Sequence, residues 1–198
     1  MNNLEYFDNI LESTFLCKGK NSLVMVEPAH DDKEEQRITI HPVDIEASDL
    51  KLYCFMKDPA HPEKLLPFFN SRTVEPNKAP KGLSRFCDYV LLVQRKDTLY
   101  VLLLELKRGE GHWESQLDAS KVFFEYIVAS ADRIKDENNF SQFDKDSVVI
   151  RRIKIQEVGS NKRRTKPADI EIADLDGYNV CNLFRADKFL PIKYCRQA

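Results

Sequence analysis

Two strongly apolar runs, parted by the polar turn Arg95-Lys96-Asp97-Thr98, occupy the stretch from Cys87 to Lys107. Strand-like runs of Val, Leu and Tyr on either side of such a turn predict an antiparallel hairpin. With Lys96-Asp97 as a two-residue tip, the pairing sets Asp88 directly across from Glu105. Side chains alternate faces along a strand, so Lys107 emerges on the same face as Glu105. Two carboxylates and an amine are thereby driven together at the end of an apolar hairpin. Opposed like charges are unfavourable there unless a cation offsets them.

The rest of the chain supplies a fold around that hairpin. Its 198 residues suffice for one sizeable core, so residues 1–198 are expected to form a single domain. Leu4, Phe7, Leu11 and Phe15 recur at helical spacing and predict a first helix over residues 4–15. Short strands are predicted at residues 23–26, 38–40 and 50–56, and a short helix at 62–70. Residues 75–82, rich in Pro and Lys, read as a surface loop feeding the hairpin. After Lys107 a glycine-bearing break precedes a long helix, roughly residues 114–134. Its buried stripe is predicted from Trp113, Leu117, Ser120, Phe124, Ile127, Ala131 and Ile134. Strands are predicted at 148–158, 170–175 and 189–194, with a turn at Asp174-Leu175-Asp176-Gly177. This order of helix, strands, hairpin, long helix and strands predicts an α/β (α+β) sandwich with a mixed central sheet.

Composition removes several function classes. The net charge of -2 leaves no global positive field, so any nucleic-acid contact must come from local basic patches. Five scattered cysteines without a CxxC pair argue against a thiolate metal site or a disulfide framework. No apolar run is long enough to span a bilayer, and acidic residues stand where a signal peptide would carry basic ones. A cytoplasmic protein with no membrane partner is the expectation. There is no Gly-rich phosphate loop, no GxSxG elbow and no histidine ligand spacing. Cys87 is expected to point to the face opposite Asp88, as core and not as nucleophile.

An [DE]xK triplet carries little information alone, and this chain holds three: Asp31-Asp32-Lys33, Asp49-Leu50-Lys51 and Glu105-Leu106-Lys107. Only the third ends an apolar strand, faces an upstream Asp and is followed by a glycine break and a helix. Asp88, Glu105 and Lys107, with Gln116 on the following helix, resemble the PD-(D/E)xK nuclease superfamily, although Cys87 stands where the name motif has proline. The resemblance covers about the middle quarter of the chain and identifies no subfamily. It implies a restriction-endonuclease-like mixed central sheet flanked by helices.

The resemblance also implies roles. Asp88, Glu105 and the Leu106 carbonyl would hold Mg2+ or Mn2+, with Glu12 of the first helix as a further acidic candidate and Glu5 behind it. The ion would polarise a scissile phosphate and activate water; Lys107 would orient or deprotonate that water. Gln116 would hold Lys107, a water or a phosphate. Lys162, Arg163, Arg164 and Lys166 form a dense basic loop suited to phosphates, with Arg108 and Lys121 as further contacts. The function implied is a metal-dependent endonuclease, a hydrolase of defence type, acting on DNA ahead of RNA, with a homodimer as the assembly that cutting both strands would favour. The alternative is an inactive nuclease-fold module that binds nucleic acid or a protein partner. A third reading takes the acidic hairpin as purely structural.

Overall fold

The computed structural model describes residues 2–11, 16–17, 24–27, 36–40, 49–54, 86–107, 113–158, 172–175, 177–184, 189 and 191–195. Its elements are α1 (Asn3–Ile10), β1 (Val24–Glu27), β2 (Gln36–Thr39), β3 (Leu50–Cys54), β4 (Tyr89–Arg95), β5 (Thr98–Lys107), α2 (Trp113–Ile134), β6 (Val148–Val158), β7 (Ile172–Leu175) and β8 (Tyr178–Phe184). A six-stranded mixed sheet runs in the order β3-β4-β5-β6-β8-β7, and β1 and β2 pair as a separate two-stranded sheet. The protein is therefore of mixed α and β class with a central sheet.

The hairpin forms the middle of that sheet. Pairing from Tyr89↔Leu104 to Arg95↔Thr98 leaves Lys96 and Asp97 as the tip, in the expected register. Lys96 takes the tip's left-handed conformation, with φ 52. Val90 to Val93 and Leu99 to Leu104 are almost wholly buried on both faces, which is why these strands read as continuous apolar runs and not as an alternation.

From β5 the chain crosses over through α2 to a parallel β6, paired from Leu99↔Val148 to Lys107↔Gln156. Parallel neighbours need such a crossover, and it delivers the first turn of α2 near the carboxyl end of β5. Trp113, Leu117, Ser120, Phe124, Ile127 and Ala131 form the buried stripe of α2 as expected, while Ile134 is half-buried. With α1 they pack on Val90, Leu92, Val101 and Leu103. A capping box of Asn2 and Glu5 starts α1, and Tyr6 Oη donates to the Ala131 carbonyl at 3.0 Å, tying the two helices together.

The opposite face packs Leu91, Val93, Leu102 and Leu104 against Met25, Ile38, Phe189 and Tyr194. Tyr89 stitches the layers: its hydroxyl accepts from the Val26 amide at 2.8 Å and donates to the Val26 carbonyl at 2.9 Å. Among the described residues, then, both α-helices lie on one face, and the smaller sheet with the C-terminal segment covers the other.

Several expectations need correction. The first helix stops at Ile10, where Leu11 turns extended. β8 was not anticipated; it pairs antiparallel with β7 from Ile172↔Cys181 to Leu175↔Tyr178, preceded by Gly177 at φ 80. The last strand is absent: Phe189 makes one bridge to Ile40 and Pro191–Lys193 is a 3-10 turn. The predicted helix at 62–70 and the loops at 75–82 and 159–167 lie outside the described residues. No helix among the described residues is long and apolar enough to cross a membrane.

Candidate active site

One step beyond the Tyr89↔Leu104 pair, Asp88 stands opposite Glu105. Both are buried, Asp88 at 5% exposure and Glu105 at 0%, so they do not form a solvent-facing rim. Each carboxylate is fastened to the other residue's strand. The Asp88 amide donates to Glu105 Oε2 at 3.2 Å, and the Leu106 amide donates to Asp88 Oδ2 at 2.8 Å. Glu105 Oε1 is buried and takes no main-chain donor; what faces it is Lys107. Lys107 Nζ stands 2.9 Å from it as an ion pair that balances its charge.

The electrostatic consequence falls on Glu105. Burial, and then the neighbouring Asp88 carboxylate, push its pKa up from 4.5 to about 8, against the opposing pull of Lys107 and the Asp88 amide. A buried carboxyl held near neutrality in this way has the signature of a working group, although structural pairs can show it too.

The segment that carries Asp88 is anchored by α2. The Cys87 amide donates to Ser120 Oγ at 2.8 Å, and Ser120 Oγ donates to the Gln116 carbonyl at 2.8 Å. Gln116 Nε2 donates to the Phe86 carbonyl at 3.3 Å. Gln116 thus braces the chain two residues before Asp88. Ser120, expected only as part of the helix's buried stripe, is a second brace. Cys87 is core as expected, and burial raises its thiol pKa. It packs on the helix face, however, not the opposite one, because residues 86–88 precede β4 and do not follow strand alternation.

Lys121 is brought to a different place. It pairs with Glu125 and lines a groove of about 390 Å3 with Val128, Lys145, Val148 and Ile150. That groove lies at the start of β6, whereas the residue level with Glu105 is Lys154, about 13 Å beyond Ile150 at strand rise. Lys121 is therefore not part of the acidic site. Glu12, Arg108, Lys162, Arg163, Arg164 and Lys166 lie outside the described residues, as do His112, Lys78, Lys81 and Arg85.

One residue was missed by sequence reasoning. Lys154 is the partner of Glu105 on β6 and is only 8% exposed. Paired strand residues share a face, so Asp88, Glu105 and Lys154 form one row across neighbouring strands, on the α2 side. The signal was present in Arg152-Ile153-Lys154-Ile155-Gln156, where polar residues alternate with core isoleucines.

The row can serve a hard cation. Two carboxylates, each with one oxygen tied to a main-chain amide, match a Mg2+-type centre that completes its shell with water and phosphate. Strand geometry turns the Leu106 carbonyl to the same edge as its amide, beside Asp88. Among the described residues no cluster of three or more His, Cys, Asp or Glu is present, so a full protein cage of the Ca2+ kind is not what they build. Glu105 Oε1, now facing Lys107 at 2.9 Å, is the atom such an ion would take over. Compared with family models, curated proteins and solved structures, the chain matches none.

Proposed function

We propose that this protein is a metal-dependent nuclease that hydrolyses phosphodiester bonds on a restriction-endonuclease-like scaffold, with DNA the preferred substrate. The observation that carries the reading is the mutual fastening of Asp88 and Glu105, which holds two buried carboxylates together with Lys107 beside them.

Asp88, Glu105 and the Leu106 carbonyl would hold Mg2+ or Mn2+. Bound there, the ion supplies Lewis-acid polarisation of a phosphate oxygen and a lowered pKa for water. Lys107, part-exposed beside Glu105, would leave its ion pair to orient the attacking water or steady the phosphate. Ser120 and Gln116 keep Asp88 in place through Cys87 and Phe86. Burial of the pair keeps bulk water from weakening these interactions.

The runner-up is an inactive module of the same fold that binds nucleic acid or a protein partner. It is favoured by the Lys107–Glu105 contact, which already balances the glutamate's charge. Cleavage assays on DNA and RNA with Mg2+ or Mn2+ separate the two. The nuclease reading expects metal-dependent cleavage that Asp88→Asn abolishes; cleavage unchanged in that variant, or none on any substrate, would sink it.

A further inference from the structure

Lys154 sits in an unusual setting for an ammonium. It is 8% exposed in the same cross-strand row as Glu105. Among the described residues its side chain has one partner, the Trp113 ring, with Nζ 4.8 Å from the ring centroid. The nearest carboxylate in its row is already engaged: Glu105 Oε2 accepts from the Asp88 amide and Oε1 faces Lys107. Lys154 Nζ is not among the enclosed polar atoms that lack a partner, so the stem is buried while the ammonium reaches solvent beside the acidic row. The ammonium also has three donors to satisfy. The enclosed stem thus holds an ammonium with donors available to an incoming acceptor of negative charge.

The first turn of the 22-residue α2 adds to the same field, because Trp113 is its first residue and helix starts attract anions. We infer that Lys154 is a phosphate-binding residue, which with the start of α2 receives a non-bridging oxygen of a DNA phosphodiester beside the Asp88–Glu105 pair. The identity of the anion rests on the nuclease reading; the existence of the anion site rests on Lys154 and Trp113 alone. Lys107 and Lys154 then have separate tasks, one at the carboxylates and one on the phosphate.

Trp113 is the sole tryptophan of the chain and reports on Lys154 directly. Its emission is followed while the full chain is titrated with a short DNA oligonucleotide in EDTA, and separately with inorganic phosphate. The inference expects a saturable change with DNA, weakened by salt. Lys154→Met should remove the change and weaken DNA binding about tenfold or more, with Lys154→Arg retaining most of it. Wild-type emission unmoved at saturating DNA, a response to inorganic phosphate but not to DNA, or equal DNA affinity in Lys154→Met would each overturn it. The wild-type titration decides even if a variant fails to fold. Lys154-dependent binding without cleavage under any metal would sink the nuclease reading and leave this site standing. Cleavage with a silent Trp113 would do the reverse.

Discussion

Asp88 and Glu105 hold each other across the central hairpin: the Asp88 amide donates to the Glu105 carboxylate at 3.2 Å, while the amide following Glu105 donates to the Asp88 carboxylate at 2.8 Å. Repulsion alone would drive two buried carboxylates apart. Main-chain donors on both strands keep them facing, so the arrangement persists without help from flexible side chains. A pair built in this way brings two acidic groups together with Lys107 beside them as a counter-charge.

Asp88→Asn keeps an acceptor for the Leu106 amide but removes the charge. Metal-dependent cleavage should fall on the order of 100-fold or more, with the far-UV circular dichroism spectrum unchanged. Lys107→Ala should produce a comparable loss.

Glu105 gives a pH dependence opposite to that of most carboxylates. Its folded pKa of about 8 lies above the ordinary 4.5, so between these values the folded state holds a proton that the unfolded chain has released. Stability is therefore fully present below the lower value and falls as pH rises through the window. Melting curves of the metal-free protein should show this decline, and Glu105→Gln should flatten it. At pH about 8 that variant should gain roughly 1–3 kcal/mol over wild type. An equal slope in both proteins would contradict the assignment.

Ser120→Ala removes the acceptor of the buried Cys87 amide. A loss of about 1–3 kcal/mol is expected, read as a drop in melting temperature of roughly 2–4 °C per kcal/mol for a chain of this size. Gln116→Ala, which loses a contact to a carbonyl outside the stripe, should fall less, by about 0.5–1.5 kcal/mol. Its effect on cleavage should follow its effect on stability; a large loss of cleavage in a fully stable Gln116→Ala protein would return this residue to the phosphate.

Lys96 sits at φ 52 on the hairpin tip, a region that penalises side chains with a Cβ by roughly 1–2 kcal/mol. Lys96→Gly should raise the melting temperature, with part of the gain lost to the flexibility of glycine in the unfolded chain. Unchanged or lower stability, measured by calorimetry, would argue against this tip and hence against the register that opposes Asp88 and Glu105.

The hairpin was legible because its apolar runs and two-residue tip leave one register, and that register carried Asp88, Glu105 and Lys107 with it. Lys154 was not legible as a neighbour of Glu105. Their pairing passes through a parallel crossover, and nothing local in either strand encodes which residues meet. Ser120 could be read as buried from helical spacing, but its acceptor role depends on where residues 86–88 pass beneath α2. β8 was missed because Asn179 and Asn182 interrupt its apolar residues. The stretch ending at Tyr194 looked extended by composition, yet Pro191 starts a 3-10 turn there.

The account turns on whether Asp88 and Glu105 share a divalent ion. A crystal of the protein grown with Mn2+ and measured at the manganese edge decides this. The account predicts an anomalous peak between the two side chains, within about 2.0–2.3 Å of an oxygen from each, with Lys107 displaced from Glu105. No peak there at saturating Mn2+, with the Lys107–Glu105 contact intact, would contradict it.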